Sequence, residues 1–121
     1  MKKIAFIVWN YTVTGGIERV LTNLANELCD YYDVHIISLT KSEDRVPYKI
    51  DERVNRVYFA TDEPLRGREV IKKGGKGVRR YIKDNGIDTV LLMGFQSSMP
   101  AIAMLKFRSR TRLIFCEHEA L

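Results

Sequence analysis

Short apolar runs recur along the chain, separated by amphipathic or polar stretches. Five runs are rich in β-branched and aromatic residues and predict strands at residues 4–9, 34–39, 54–59, 89–93 and 113–116. Runs such as IAFIVW and TVLLM are apolar at successive positions, as in strands that are covered on both faces. The alternation with helical patterns therefore predicts an α/β domain with a parallel sheet.

Two of the intervening stretches show the spacing of helices. In the first, apolar residues recur every three or four positions, with Asn23, Glu27 and Asp30 opposite them; the apolar set is Ile17, Val20, Leu21, Leu24, Ala25 and Leu28. Residues 64–85 predict a second helix, and each glycine in its GGKG segment costs up to about 1 kcal/mol against alanine, so we expect a frayed or broken centre. A third helix is predicted from residue 97 or 98 to about residue 107, and residues 40–53 are expected to form a loop.

Right-handed crossovers between five parallel strands give a doubly wound, Rossmann-like sheet, most simply in the order 3-2-1-4-5. The winding reverses between strands one and four. Ligands of such sheets bind at that reversal, beyond the carboxyl ends of the strands. The segments predicted to reach this crevice are NYTVTGG, GFQSS and EHE.

Composition limits the function classes without selecting one. The 121 residues are those of one domain, and 45% hydrophobic with 29% charged residues is ordinary for a globular protein. No apolar run approaches the roughly 18 residues that span a bilayer. Cys29 and Cys116 are too few and too oddly spaced for a zinc site or a disulfide framework, so we expect no metal, two buried thiols and a cytoplasmic location. We also expect no cofactor.

The adjacent glycines Gly15 and Gly16 stand between the first strand and the first helix. Glycine allows a ligand to approach the backbone closely, and the N–H groups and dipole of a helix N-terminus favour a negative group such as phosphate. Glu18 in the first turn can cap the helix or bond a ligand hydroxyl, and Asn10 at the end of the strand completes the candidate substrate-binding set. Equally open is the alternative that the glycines only make a tight turn.

Three familiar phosphate chemistries fit poorly. A dinucleotide site requires G-x-G-x-x-G and an acidic residue after the second strand, whereas the chain has TGGIER and a strand that ends ISLT. No G-x-x-x-x-G-K-[ST] occurs, which excludes a P-loop. The first strand runs out through Trp9, Asn10 and Tyr11, without the carboxylates of a phosphate-accepting response regulator.

The segments TGGIERVLTNLANEL, DVHIISL, IDTVLLMG and EHE, in this order, resemble the N-terminal domain of family 4 glycosyltransferases, which have the GT-B fold. The resemblance implies a retaining transfer of a hexose from a nucleotide-diphospho-sugar to an acceptor, without a metal-binding D-x-D motif. It also implies that Gly15 and Gly16 border the donor phosphates and the acceptor. His118, after the fifth strand, would be the catalytic candidate that orients the donor sugar.

The residues themselves add two alternatives for the histidines. His118 lies between Glu117 and Glu119, which can hold or protonate it; the plainer interpretation is an exposed histidine close to the last residue. His35 falls inside the second strand, where a structural role is expected.

In the family, most of the donor site lies in a second Rossmann-like domain that carries a glutamate pair spaced E-x-x-x-x-x-x-x-E. No such pair occurs in this chain. We therefore expect residues 1–121 to be a partial N-terminal, acceptor-side domain that is inactive alone and lacks the C-terminal donor-binding domain. An exposed interdomain face would then permit a homodimer. The alternative is a small α/β binding or interaction domain without catalytic activity.

The net charge of +5 is concentrated between residues 66 and 83, in RGREVIKKGGKGVRRYIK. The resemblance implies saccharide or lipid-linked acceptors used in surface polysaccharide or glycolipid synthesis, and anionic lipids attract clustered Lys and Arg. A peripheral site at the inner membrane face is one interpretation and a solvated helix face is the other. Nucleic acid is not expected, because Tyr81 is the only aromatic residue among the charges of this segment and so the only ring there for base stacking. The membrane-surface candidates are Lys72, Lys73, Lys76, Arg79 and Arg80.

Overall fold

A computed structural model describes residues 1–59, 67–94 and 111–116. Within these ranges the elements follow one another as strand β1, helix α1, strands β2 and β3, helix α2, and strands β4 and β5. Their bounds are Lys3–Asn10 (β1), Gly16–Leu28 (α1), Asp33–Thr40 (β2), Asn55–Tyr58 (β3), Gly67–Asn85 (α2), Thr89–Met93 (β4) and Arg112–Cys116 (β5). The helix predicted to end near residue 107 lies outside the described residues.

The five strands form one parallel sheet in the order β3-β2-β1-β4-β5, which confirms the predicted topology. In the centre, Ile4 of β1 lies opposite Val34 of β2 on one side and Thr89 of β4 on the other. The chain therefore reverses its winding between β1 and β4, where a ligand crevice is expected in this class of sheet.

Both faces of the sheet are covered, and β1 shows why its sequence is apolar at successive positions. Ile4 and Phe6 belong to the buried cluster under α1, whereas Ala5 and Ile7 belong to the cluster under α2. Successive side chains of a strand point to opposite faces, so a central strand between two helical layers needs apolar residues on both.

Helix α1 packs on the sheet through the predicted apolar stripe, and its most buried surface also includes two polar residues. Leu21 and Ala25 are fully buried as predicted, but Glu18 and Thr22 are buried beside them. The Thr22 hydroxyl donates a hydrogen bond of 2.7 Å to the carbonyl of Glu18, and the Tyr11 hydroxyl bonds Thr22 Oγ1. These bonds satisfy the buried hydroxyl groups on the sheet side of the helix.

Helix α2 is continuous through its glycines, so the expected break was wrong. A Cβ placed on Gly77 would lie 2.5 Å from a ring carbon of Phe59, and one on Gly74 would lie 3.6 Å from Leu39 Cδ2. Gly77 therefore lets the helix approach Phe59 closely, directly after β3, whereas a Cβ on Gly74 would make only an ordinary van der Waals contact. The close packing at Gly77 compensates for its low helix propensity.

The end of α2 follows the predicted glycine. Gly86 has φ 61°, in the left-handed region that favours glycine. Its N–H donates to the Lys83 carbonyl at 3.2 Å, and the Ile87 N–H donates to the Ile82 carbonyl at 3.0 Å. This pair of bonds is a Schellman motif, in which the buried Ile82 and Ile87 supply the accompanying apolar contact.

His35 and the cysteines take structural places. The His35 ring is buried, with Nδ1 2.6 Å from the Tyr81 hydroxyl and Nε2 3.1 Å from Asp33 Oδ2, in agreement with a structural role. Cys29 is buried as expected, but Cys116 is only half-buried. Burial raises the pKa of both thiols, which disfavours the reactive thiolate.

Candidate functional site

The site begins at the carboxyl end of β1, in residues 11–16, which we call the glycine loop. The fold places Asn10 directly before this loop, Gly15 and Gly16 at its end, and Glu18 in the first turn of α1. These four predicted substrate-binding residues thus share one side of the winding reversal. The catalytic candidate, His118, lies outside the described residues, as do both of its neighbours in EHE.

Neither glycine of the loop is required by its backbone conformation. Gly15 has φ −146° and ψ 176°, an extended conformation that any residue adopts. Among the described glycines, only Gly86 and Gly94 have positive φ. A tight turn that needs glycine geometry therefore does not account for the Gly15–Gly16 pair.

The two glycines differ in what surrounds them. A Cβ on Gly15 would lie 2.5 Å from Glu18 Oε1, because the carboxylate folds back against this residue. A Cβ on Gly16 would meet no other residue of the described ranges within 4 Å, and Gly16 is exposed. Gly15 thus makes room for a side chain of the protein, whereas Gly16 leaves the first turn of α1 open to solvent.

Glu18 is a buried carboxylate at the helix N-terminus, with 8% of its surface exposed. Burial raises its pKa, and a hydrogen bond with its own backbone opposes that rise. The dipole of α1 also favours a negative charge at this end. Its carboxylate thus lies at the positive end of the helix dipole, and its two predicted roles, as a cap or as a partner of a ligand hydroxyl, stay predictions.

The side chain of Asn10 is largely occupied within the protein. Its Oδ1 accepts the Thr12 N–H at 2.9 Å and the Thr12 hydroxyl at 2.6 Å, and its Nδ2 donates to Ser42 Oγ at 2.9 Å. An amide oxygen has two lone pairs, so these two bonds use its acceptor capacity. Asn10 therefore shapes the glycine loop, and one amide N–H is left for any ligand contact.

The loop after β2 contributes residues that the sequence analysis missed. Residues 42–48, which we call the clasp, lie against the glycine loop through Ser42, Arg45 and Tyr48. In sequence this stretch shows only polarity and Pro47, so no local signal pairs it with residues 30 positions earlier.

The carboxyl end of β4 also reaches the site. Gly94 has φ 85°, and a Cβ there would lie 2.9 Å from Ile17 Cδ1 in the first turn of α1. Its N–H donates to the Cys116 carbonyl at 3.0 Å, at the end of β5. The first residue of GFQSS therefore adjoins the first turn of α1, and its positive φ favours glycine there.

The basic segment lies on the outer side of α2. Lys76, Arg79 and Arg80 are exposed, as is Lys83, at helical spacings of three and four that form one face. Arg80 Nε lies 3.6 Å from Asp84 Oδ2 across one turn. Lys72 and Lys73 belong to the same helix, but their side chains are not among those that the structure describes.

No helix within residues 1–59, 67–94 and 111–116 is both long and apolar enough to cross a bilayer. In the same ranges, no group of three or more His, Cys, Asp or Glu side chains is placed so that it could hold a metal ion.

The sequence and the fold are both similar to those of glycosyltransferases. The model of Glycosyltransferase Family 4 matches residues 14–121. An uncharacterized glycosyltransferase of Haemophilus influenzae is 32% identical over 94 residues, which are 77% of this chain and 26% of that protein.

Two solved structures share the fold at 14% sequence identity. Sucrose-phosphate synthase from Thermosynechococcus elongatus superposes with a TM-score of 0.76, covering 98% of this chain and 33% of that one. WaaG, a glycosyltransferase involved in lipopolysaccharide biosynthesis, superposes with a TM-score of 0.56, covering 75% of this chain and 23% of that one. The chain thus spans about a third or less of each of these proteins.

Proposed function

The chain belongs to Glycosyltransferase Family 4, and from that premise we propose that it is the N-terminal, acceptor-side lobe of a GT-B glycosyltransferase. The complete enzyme transfers a hexose from a nucleotide-diphospho-sugar to a saccharide or lipid-linked acceptor. The observation that carries the proposal is Gly16: an exposed glycine without positive φ at the N-terminus of a 13-residue helix, where an added Cβ would meet no other described residue within 4 Å. The fold does not require a glycine there, but a ligand that approaches the backbone does.

The glycine loop supplies the chemistry expected of this lobe. The first N–H groups of α1 have no partner within the helix, and they carry the positive end of its dipole. A diphosphate that leaves during sugar transfer gains negative charge, which such preorganised donors stabilise without a metal ion. Glu18 bonds a sugar hydroxyl from the same turn, and His118 orients the donor sugar. Transfer is retaining and metal-independent.

A second lobe completes the donor site. The chain covers 26% of its Haemophilus influenzae relative and 33% of the cyanobacterial sucrose-phosphate synthase. Its residues include no E-x-x-x-x-x-x-x-E pair. We therefore expect residues 1–121 to be inactive alone. The WaaG relationship favours an acceptor in surface polysaccharide or glycolipid assembly.

The basic face of α2 supports a location at the cytoplasmic face of a membrane. Lys76, Arg79, Arg80 and Lys83 are exposed on one side of the helix, and each basic residue near an anionic leaflet contributes about 1 kcal/mol. A lipid-linked acceptor would be presented at that surface.

The first experiment is to sequence the parent gene beyond the codon for Leu121 and to assay its product for sugar transfer. Continuation into a second βα domain with the glutamate pair supports the proposal. A stop codon directly after Leu121 contradicts it and favours a non-catalytic binding domain.

The assay is sharpened by one substitution in that product. Gly16→Val fills the space at the helix N-terminus, and we expect it to lower kcat/KM at least about a hundredfold, as loss of one transition-state donor does. Asn23→Leu, on the exposed face of the same helix, is the control and should leave transfer unchanged. Near-normal turnover of Gly16→Val would remove the glycine loop from the active site.

A further inference from the structure

The clasp, residues 42–48, forms hydrogen bonds with residues 12, 14 and 15 of the glycine loop. Thr12 is fully buried, and its Oγ1 accepts the N–H groups of Ser42 and Glu43, each at 3.3 Å. The same hydroxyl donates to Asn10 Oδ1 at 2.6 Å. Ser42 Oγ also lies 2.9 Å from Thr12 Oγ1. The groups around this hydroxyl therefore outnumber its one donor and two acceptor positions, and the loop and the clasp together saturate it.

Arg45 connects two points of the glycine loop. Its Nε donates to the Thr12 carbonyl at 3.0 Å, and its Nη2 donates to Thr14 Oγ1 at 2.6 Å. Glu43 Oε2 lies 2.7 Å from the same Nε and holds the guanidinium in place. A planar guanidinium fixes the spacing of its two acceptors, which a lysine ammonium does not.

Tyr48 reaches the end of the loop. Its hydroxyl donates to the Gly15 carbonyl at 3.2 Å, and the same carbonyl accepts the Arg19 N–H at 3.1 Å, the first hydrogen bond of α1. The clasp thus touches the backbone or side chain of residues 12, 14 and 15, immediately before the open Gly16.

The glycine loop needs such an external constraint because its own sequence provides little. Two successive glycines have more conformational freedom to lose than any other pair, and the N-cap residue Gly15 has no side chain to bond the helix. Holding the loop in one conformation before the ligand arrives removes that ordering cost from binding and from the transition state.

We propose that the clasp is a positioning element for the glycine loop, with Arg45 as the positioning residue. It acts on sugar transfer through the loop, and this part of the inference rests on the proposed function. The chemistry that it serves is the diphosphate of the donor, because the clasp orders the peptide units directly before the first turn of α1.

The chain offers a matched control for Arg45. Arg53 belongs to the same connection between β2 and β3 and is similarly exposed, with 57% of its side-chain surface accessible against 48% for Arg45. Its guanidinium bonds Asp30 and Asp51, and no clasp residue. Arg53→Ala therefore removes an arginine from this connection without releasing the glycine loop.

The first test is amide hydrogen exchange on this chain, read at the N–H groups of Thr12, Ser42 and Glu43. Arg45→Ala and Tyr48→Phe should accelerate exchange there about fivefold or more, the equivalent of about one hydrogen bond, while Arg53→Ala stays within about twofold. Tyr48→Phe keeps the ring and loses only the hydroxyl, so it remains informative if Arg45→Ala does not fold. Unchanged exchange in Tyr48→Phe and Arg45→Ala overturns the inference whatever the chain's function.

The second test is kinetic and uses the full-length product of the parent gene. Arg45→Ala should lower kcat/KM about tenfold, and Arg45→Lys should not restore it, because lysine cannot bond Thr12 and Thr14 together. Restoration by lysine, or normal turnover in a variant with fast exchange, contradicts the positioning role. Absence of transfer in the unmodified product contradicts the proposed function alone and leaves the exchange result standing.

Discussion

Glycines occur at two places where a helix meets the sheet, and the two places use them differently. In α2, a Cβ on Gly77 would collide with the ring of Phe59, so that the missing Cβ becomes close packing of the helix on the sheet. At the start of α1, a Cβ on Gly16 would meet no other described residue within 4 Å. A glycine whose space is filled by the protein is explained by packing, whereas one whose space is open is a candidate for ligand contact.

The largest effect is expected where the space is filled by a ring. Gly77→Val places a Cβ about where Phe59 lies, 2.5 Å from its nearest ring carbon, so α2 or the ring must shift. Overpacking of this kind costs about 1–3 kcal/mol, and the smaller gain in helix propensity when valine replaces glycine offsets only part of that cost. Urea unfolding of this chain measures the loss. Gly77→Val should cost less in a Phe59→Ala background, where the ring is absent. An unchanged urea midpoint in Gly77→Val alone would show that the contact with Phe59 is not tight.

A smaller effect is expected at Gly15, where the space is filled by the end of a flexible side chain. Gly15→Ala displaces Glu18 Oε1 from 2.5 Å toward solvent, and the change in free energy of unfolding at pH 7 should stay below about 1 kcal/mol. Glu18→Ala combined with Gly15→Ala is the matched double variant, because it removes the displaced carboxylate.

The pH dependence of stability tests whether the Glu18 carboxylate is buried in wild type and moves into water in Gly15→Ala. Burial raises the pKa of Glu18 in the folded chain, so the folded state binds this proton more tightly than the unfolded state does. The contribution of Glu18 to stability therefore grows as pH falls from above the raised pKa to below the ordinary glutamate value. Moving the carboxylate into water removes this term, so wild type should gain stability relative to Gly15→Ala on acidification. Equal pH profiles of urea unfolding would refute the burial of this carboxylate.

The smallest effect on folding is expected at Gly16. Because Gly16→Ala meets open space at an exposed position, the free energy of unfolding should change by no more than about 0.5 kcal/mol. Thermal unfolding of this chain next to Gly77→Ala compares the two glycines directly. A large destabilisation by Gly16→Ala would mean that the residue is structural after all, and the contrast between the two helices would be lost.

Periodicity in the sequence predicted most of the fold because apolar spacing reports burial directly. All five strands appear where the apolar runs are, in the predicted order, and Gly86 ends α2 as predicted. The continuity of α2 was missed, since helix propensity alone counts Gly74 and Gly77 as weak points. At Gly77 the compensation comes from close packing on Phe59, a residue that directly follows β3.

The candidate site was predicted only in part. The position of the glycine loop follows from strand order, because the winding reversal is a property of topology. The clasp does not follow from it: Arg45 and Tyr48 lie about 30 residues from the atoms that they bond, and no spacing rule relates the two segments.

What this sequence determined by itself is the α/β class, the order of the strands and the place of the glycine pair, since each depends on local pattern and on chain handedness. Only the tertiary structure decided at which glycine the space for a Cβ is occupied and at which it is free. It also decided why Glu18 is buried and which residues hold the loop before α1. Those properties depend on contacts between segments that are far apart in the sequence, and the local spacing of apolar and polar residues does not predict such contacts.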